Sequence, residues 1–272
     1  MLANLHTKEN FQITFKSQTE SPIEWGFFRY PDGQVQFVIK KLTGIHSTLR
    51  LKCSILSSED YDLFTQIMAT LSFESIDIKY LYGGRSDKRS FRSGNDSYIC
   101  CHVPSLVASH ITTQIDKVVI WNPHYSIPGT REIMPLPEEI LDAEYSGIIF
   151  PDQSAFIRTT TKPEFKAFSL NELPSIVCSK ERDQADSTIT RYSCAKIEPS
   201  GRYLVMDDIC DGGATFLKLR EAIDSRVGLD LYVTHGLFTK GVDELYKGYK
   251  NIFCTNSCPG WKLLKYNGTY SY

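Results

Sequence analysis

Short β-rich runs alternate with helical stretches along the chain, and this alternation limits the possible folds more than any other feature. Several of the runs are continuously apolar, as in GIIF at 147–150, where no polar residue interrupts the run. Such runs are typical of strands that are buried on both faces of a parallel sheet. Because parallel neighbours need a long crossover connection, the strand–helix–strand succession predicts an α/β fold with right-handed crossovers.

The predicted strands form two sets along the chain. They lie at 11–17, 34–40, 75–83 and 117–121, and then at 147–150, 175–178, 202–207, 229–235 and 251–255. Helices are predicted where apolar residues recur at helical spacing. They lie at 57–73, 103–115 and 214–226. The first of them opens with serine and an acidic first turn, the usual signature of a helix N-terminus.

A proline-rich stretch at 127–140 divides the 272 residues into halves of similar length. Each half has its own predicted strands and helices, and each is long enough to form a small domain. We therefore expect two tandem domains, an N-terminal one over residues 1–135 and a C-terminal one over residues 136–272. Each domain is predicted to be a mainly parallel sheet flanked by helices.

The composition argues against several classes of protein. With 30 Lys+Arg against 32 Asp+Glu, the formal charge is −2, which disfavours a nucleic-acid coat or a polybasic membrane anchor. No apolar run reaches the ~18 residues that a membrane helix needs, and the first residues lack the apolar region of a signal peptide. The eight cysteines show no CxxC pair or zinc-finger spacing. We therefore expect reduced, mostly buried thiols in a cytoplasmic protein.

The segment at 202–225 carries the most chemical information. An apolar strand leads into two adjacent acids, and a loop of small residues precedes an amphipathic helix; these residues are Asp207, Asp208, Asp211, Gly212, Gly213, Ala214 and Thr215. Ligands of open parallel sheets bind beyond the carboxyl ends of the strands. Small residues at a helix N-terminus let backbone N–H groups approach a phosphate, whose charge the helix dipole favours. Adjacent acids can hold a ribose by its vicinal hydroxyls, or hold Mg²⁺ through water.

These features together predict a sugar-phosphate site. The alternative is a strand-to-helix turn that uses glycine for positive φ and aspartate as a cap. The segment resembles the phosphoribosyl-pyrophosphate signature shared by type I phosphoribosyltransferases and ribose-phosphate pyrophosphokinases. Further matches to the pyrophosphokinase family follow in that family's order over roughly residues 25–257. The resemblance implies two tandem phosphoribosyltransferase-like domains.

Two matches in the first half are similar to the ATP-binding segments of that family. FRYPDGQVQFVI at 28–39 resembles the nucleotide loop, in which Tyr30 would stack on adenine and Asp32 would contact its edge. Gln34 stands where that family usually has glutamate. Arg85 and Asp87 match a basic loop suited to a triphosphate. Taken alone, the two segments are a hairpin turn and a solvated basic loop.

Other matches concern the transferring phosphates. His124 follows a predicted strand, as does the family's metal-binding histidine, although Asn122 replaces the usual aspartate. Asp152 matches a magnesium ligand and also has the position of a helix N-cap. Lys180 and Arg182 look like the family's catalytic Lys–x–Arg at the base of a mobile loop.

The resemblance implies an Mg²⁺-dependent enzyme that transfers the β,γ-diphosphoryl group of ATP to the anomeric hydroxyl of a ribose 5-phosphate unit. The phosphate loop departs from the usual Asp–Thr–Gly–Gly–Thr pattern at Gly212 and Ala214. ADP-ribose, whose terminal ribose has the same hydroxyl, is therefore a second candidate acceptor, in a pathway of nucleotide or NAD synthesis. A homo-oligomer, dimer or hexamer, is expected, with no nucleic-acid or membrane partner.

Two other functions stay open at this stage. A type I phosphoribosyltransferase would leave the ATP-binding matches of the first half without a role. A catalytically silent regulatory homologue would be free to lose the acid pair, Lys180, Arg182 and His124, all of which are present. We therefore favour the pyrophosphokinase.

Overall fold

The computed structural model describes residues 8–15, 24–39, 49–83, 90–93, 96–99, 111, 117–167, 169–182, 189–258 and 269–270. The chain divides into two compact units. The N-terminal unit comprises Met1–Asp87, His102–Glu132 and Cys258–Gly260; the C-terminal unit comprises Lys88–Cys101, Ile133–Ser257 and Trp261–Tyr272.

The first half of the chain contains strands and a capped helix. They are β1 (Phe11–Phe15), β2 (Trp25–Arg29), β3 (Val35–Ile39), β4 (Leu49–Ile55), α1 (Ser58–Thr70), β5 (Phe73–Leu81), β6 (Ser90–Ser93), β7 (Asp96–Ile99), β8 (Val118–Trp121) and β9 (Arg131–Ile133). One sheet has the order β1-β4-β5-β8-β9. Within it β1 is antiparallel to β4, whereas β4, β5 and β8 are parallel. The helix α1 therefore provides the crossover that two parallel neighbours need.

A hairpin of β2 and β3 packs on α1 in the N-terminal unit. Gln66 of α1 bonds the edge of β3 twice: its Oε1 accepts from the Phe37 N–H at 2.8 Å, and its Nε2 donates to the Val35 carbonyl at 2.8 Å. The buried rings of Phe27 and Phe37 belong to the same apolar core as Phe64. The hairpin is thus held to the unit by a paired polar contact as well as by apolar packing.

The second half of the chain forms a parallel sheet, a hairpin and several helices. They are α2 (Glu138–Leu141), β10 (Gly147–Phe150), α3 (Gln153–Thr160), α4 (Pro163–Ala167), a 3₁₀ helix (Ser169–Glu172), β11 (Ser175–Val177), β12 (Ser179–Arg182), β13 (Ile189–Ser193), β14 (Arg202–Cys210), α5 (Ala214–Ala222), β15 (Gly228–Gly236), α6 (Asp243–Tyr246), β16 (Ile252–Thr255) and β17 (Thr269–Tyr270). The sheet has the order β11-β10-β14-β15-β16-β17, and every neighbouring pair is parallel.

The central strands of this sheet are buried on both faces. Along β14, Val205 packs into one apolar cluster with Phe216, whereas Leu204 and Met206 pack into another with Phe150. Successive side chains of a strand point to opposite faces, so a strand covered on both sides needs apolar residues at every position. The predicted α/β fold with parallel sheets flanked by helices is confirmed.

Some elements differ from those predicted. The strand Leu49–Ile55 was not predicted, because its basic residues interrupt the apolar pattern. The strand that carries the acid pair continues to Cys210, since β15 pairs with it as far as Gly236. Apart from Ile111, the helix predicted at 103–115 lies outside the described residues. In the described ranges no helix is long and apolar enough to cross a membrane.

The expectation that all the cysteines are reduced is wrong for two of them. Cys178 and Cys194 form a disulfide, with their Cα atoms 4.4 Å apart. They precede β12 and follow β13, whose pairing of Ser179 with Ser193 brings the two ends together. Among the other described cysteines, Cys53, Cys210, Cys254 and Cys258 are buried and do not take part in a disulfide.

Candidate functional site

The two adjacent acids lie on β14 in the C-terminal unit, between β10 and β15. Only 8% of Asp207 and 2% of Asp208 is exposed. The Asp208 N–H donates to Asp207 Oδ1 at 2.9 Å. Burial, and then the neighbouring charge of Asp208, raises the pKa of the Asp207 carboxyl well above its ordinary range. Such a pair is costly to hold ionised and needs a nearby cation.

Arg158 supplies that cation, and the sequence interpretation missed it. Its Nη2 donates to Asp208 Oδ1 at 2.9 Å and to Asp207 Oδ1 at 3.2 Å. Burial opposes the charge of the guanidinium, but the two carboxylates outweigh it and raise the pKa of Arg158. One signal pointed to it: the arginine lies in the last turn of the helix that begins at Asp152.

Asp152 and Lys180 form a second pair in the same unit. Asp152 is the N-cap of α3, where its Oδ1 accepts from the Ala155 N–H at 2.8 Å. Its other oxygen, Oδ2, lies 2.5 Å from Lys180 Nζ. Burial alone would raise the pKa of Asp152, but the hydrogen bonds from Lys180 and from the Ala155 N–H outweigh it and lower the pKa. Asp152 is therefore both a helix cap, as predicted, and a partner of Lys180.

The two pairs form one charged cluster at the helix α3. Arg158 and Asp152 also attract each other, since each shifts the pKa of the other toward the charged form. Two cations and three carboxylates thus lie together beside the ends of β10 and β14. Such a cluster can take up a ligand that has both hydroxyl and phosphate groups.

Lys180 is held on the hairpin of β12 and β13, where it lies opposite Tyr192. The Tyr192 hydroxyl donates to the carbonyl oxygen of Pro151, next to Asp152. The register of the hairpin shifts between Glu181 and Arg182. The backbone of Arg182 ends β12, and its side chain lies outside the described part of the structure, as do residues 183–188. The structure therefore places Lys180 in the cluster and leaves Arg182 as a prediction.

The small-residue loop lies between β14 and α5. Gly213 has φ +78° and is the N-cap of α5, without a side-chain hydrogen bond at the cap. A Cβ there would lie 3.3 Å from Leu245 Cδ2, so glycine suits the position for both conformation and space. The loop is held from outside by Thr239, whose Oγ1 donates to Asp211 Oδ1 at 2.7 Å. The stem of Lys240 passes Gly212, with Cδ 3.4 Å from where a Cβ would be.

Ala214 and Thr215 begin α5 and follow directly after Gly213. His235, on β15, is buried, and its Nδ1 lies 2.9 Å from Ser257 Oγ. The ring of His235 is thus held within the sheet.

Part of the predicted nucleotide site is described in the N-terminal unit. Tyr30 lies at the tip of the β2–β3 hairpin and is 49% exposed. The turn is closed by the Gly33 N–H, which donates to the Tyr30 carbonyl at 2.9 Å. Asp32 Oδ1 accepts from the Gln34 N–H at 3.1 Å, so its carboxylate also stabilises the turn. Arg85 and Asp87 lie outside the described residues.

His124 follows β8 in the same unit and is partly buried. Asn122, between the strand and His124, is buried and has φ +31°. Asparagine adopts a positive φ more readily than most residues, which gives a backbone reason for its place here.

No known family model matches the chain. Over 141 residues, the chain is 30% identical to ribose-phosphate pyrophosphokinase 4 of Arabidopsis thaliana. That match covers 48% of this chain and only 38% of the length of the relative. The structure is similar to that of phosphoribosylpyrophosphate synthetase from Mycobacterium smegmatis, with a TM-score of 0.62 and 15% identity. The structural match covers 92% of this chain and 86% of the other.

The fold is therefore that of a phosphoribosylpyrophosphate synthetase, consistent with two phosphoribosyltransferase-like domains. Together the sequence match and the structural match support the ribose-phosphate pyrophosphokinase family, as the order of the motifs predicted.

Proposed function

We propose that this protein transfers the β,γ-diphosphoryl group of ATP to the anomeric hydroxyl of a ribose 5-phosphate unit and releases AMP. The observation that carries the proposal is the cluster in the C-terminal unit. It joins Lys180, through Asp152 and Arg158, to the buried acids Asp207 and Asp208. The names of the Arabidopsis and Mycobacterium proteins support the same reaction.

The acceptor would be held by two parts of the C-terminal unit. Asp207 and Asp208 would accept hydrogen bonds from the vicinal hydroxyls of the ribose. Backbone N–H groups of Gly212 to Thr215 would bind the 5-phosphate, because no side chain caps the start of α5.

In the transfer step the anomeric oxygen attacks the β-phosphorus of ATP. A bond forms between these atoms while the bond from the β-phosphorus to the oxygen bridging to the α-phosphate breaks. AMP leaves with the electron pair, and the hydroxyl proton is released to solvent. Negative charge grows on the phosphate oxygens, so catalysis depends on positioning and on cations. Lys180 and Arg182 would supply those cations, and Lys180 would exchange part of its contact with Asp152 for the phosphates.

The residues fit an Mg²⁺ ion that is held mainly by substrate. Among the described residues no group of three or more histidine, cysteine or acidic side chains forms a closed metal site. Magnesium is commonly held by one or two carboxylates together with substrate phosphates, so a closed site is not required. Asp152 suits this role because its lowered pKa keeps it ionised. His124, in the N-terminal unit, is the other ligand that the resemblance implies. The ion would neutralise charge on the phosphates.

ADP-ribose remains the second candidate acceptor. Lys240 has no ion-pair partner among the described residues, and its stem runs beside Gly212 in the phosphate loop. A cation in that place suits an acceptor with more than one phosphate. Synthesis of nucleotides or of NAD would then use the product.

The rest of the proposal is based on the resemblance of the sequence motifs to those of ribose-phosphate pyrophosphokinases. The nucleotide segments, with Tyr30, Asp32, Gln34, Arg85 and Asp87, would belong to an N-terminal domain at 1–135 and the acceptor site to a C-terminal domain at 136–272. A homo-oligomer in the cytoplasm is part of the same proposal.

The test is a direct assay. The protein is incubated with ATP, Mg²⁺ and either ribose 5-phosphate or ADP-ribose, and AMP is followed by chromatography with product masses. We expect AMP together with an acceptor that has gained a diphosphoryl group. Without AMP from either acceptor the proposal fails, and a phosphoribosyltransferase assay with preformed phosphoribosyl pyrophosphate and no ATP then tests the main alternative.

A further inference from the structure

We propose that Arg158 is a positioning residue for the acceptor: it holds the carboxylates of Asp207 and Asp208 in the arrangement that binds the two ribose hydroxyls. This inference rests on the proposed function, since it assigns a role within the acceptor site. Arg158 would act on the sugar through the two acids.

The first argument is the geometry of the contact. A single atom, Arg158 Nη2, lies 2.9 Å from Asp208 Oδ1 and 3.2 Å from Asp207 Oδ1. It therefore draws two oxygens, Oδ1 of Asp207 and Oδ1 of Asp208, toward one point. Two adjacent carboxylates repel each other, and a cation that both of them contact offsets this repulsion. A ribose diol needs two acceptors at a fixed separation.

The second argument is a comparison within the same unit. Arg202 pairs with the fully buried Asp230 through two of its nitrogens, Nε at 3.0 Å and Nη2. Asp230 also accepts from the Tyr145 hydroxyl and from Asn251. This pair is saturated with partners, as expected where an ion pair serves the fold.

Arg158 differs from Arg202 in this respect. It binds two carboxylates through one nitrogen, while its buried Nε has no hydrogen-bond partner in the described part of the chain. A buried donor without a partner costs stability. Arg202, by contrast, directs two nitrogens to a single carboxylate oxygen, Asp230 Oδ2.

The third argument is the position of Arg158 within the helix α3. Arg158 lies in the last turn of α3, and the first turn is fixed by Asp152, which also binds Lys180. The helix α3 thus connects Arg158, which contacts the acid pair, with Asp152, which contacts Lys180. Its position sets both contacts at once.

The experiment compares Arg158→Met, Arg158→Lys and the matched control Arg202→Met. Binding of ribose 5-phosphate and of ADP-ribose is measured by calorimetry without ATP, and KM for acceptor and for ATP, kcat and the thermal midpoint are measured beside it. For Arg158→Met we expect acceptor binding weaker by about tenfold or more, with KM for ATP changed by less than about twofold. Arg158→Lys should recover part of the affinity, because it keeps the charge without the planar fork.

Arg202→Met should lower the thermal midpoint and leave acceptor affinity unchanged. If Arg158→Met does not fold, Arg158→Lys carries the test: acceptor affinity equal to that of the unsubstituted protein would overturn the inference. The same holds if Arg158→Met binds acceptor normally. If the unsubstituted protein binds neither acceptor, the proposed function fails and the inference fails with it.

Discussion

The Nζ atom of Lys180 lies 2.5 Å from Oδ2 of Asp152, the residue that caps the helix α3. Through this contact one of the residues expected to bind phosphate is already held beside the expected magnesium ligand. Since Asp152 also receives the Ala155 N–H, its carboxylate fixes the lysine and the start of the helix together. Lys180, which we propose as a catalytic residue, is therefore positioned by contacts within the protein itself.

Lys180→Ala should reduce turnover by about 10²-fold or more, because a cation is lost where negative charge develops in the transfer step. We expect little change in the thermal midpoint, since the side chain takes part in one partly exposed ion pair. AMP release and thermal unfolding give the two readouts. Lys247→Ala is the control: this exposed lysine pairs with Glu244 and should change neither quantity. Turnover near that of the unsubstituted protein would show that Lys180 has been wrongly assigned.

Gly213→Ala should both destabilise the protein and weaken acceptor binding. A side chain at φ +78° is strained, and its Cβ would lie 3.3 Å from Leu245 Cδ2, so we expect a loss of about 1–3 kcal/mol in the free energy of unfolding. Gly241→Ala is the matched control, because φ is +77° there and no atom lies within 4 Å of the added Cβ. Urea unfolding and ribose 5-phosphate binding are measured for both. Equal acceptor affinity in the two variants would contradict the phosphate role of the loop.

Reduction of the Cys178–Cys194 disulfide should loosen the hairpin that carries Lys180. The bond closes a loop with a sequence separation of 16 residues, for which chain entropy predicts a contribution of about 3 kcal/mol. We expect a dithiol reductant to lower the midpoint of urea unfolding and to speed proteolysis within the hairpin. The double variant Cys178→Ser/Cys194→Ser should show the same properties with and without reductant. If the reductant has an effect of equal size on that variant, the effect does not come from this disulfide.

Acid should weaken the N-terminal unit through Glu59. Hydrogen bonds from Arg29 and then from Lys8 lower the pKa of this carboxyl from 4.5 to about 2. A lowered pKa in the folded state means that Glu59 stabilises the fold above its ordinary pKa, and that this stability is lost as the pH falls from about 4.5 to about 2. Glu59→Gln should flatten the unfolding free energy over that range, measured by urea titration. High salt should reduce the difference, since Arg29 is largely exposed. An unchanged pH slope in the variant would count against the contact.

Much of the fold can be predicted from local patterns in the sequence. Continuous apolar runs such as the one at 147–150 predict strands covered on both faces, and the structure has them at the centre of a parallel sheet. The serine before α1 and Asp152 before α3 predict two helix starts, and both side chains cap as expected. The alternative interpretation of the small-residue loop after β14, a turn that uses glycine for positive φ, agrees with the left-handed conformation of Gly213. These features depend on neighbours within a few residues, so the sequence by itself determines them.

Other features depend on which distant segments meet, and only the tertiary structure decided them. Arg158 reaches Asp208 across 50 residues of chain because β10 and β14 are neighbours in the sheet. Cys178 and Cys194 join because β12 and β13 pair in one register. No local pattern shows which distant side chain these residues will contact. Side-chain periodicity reports how a segment faces its surroundings, whereas strand order and register decide which side chains come within reach of each other.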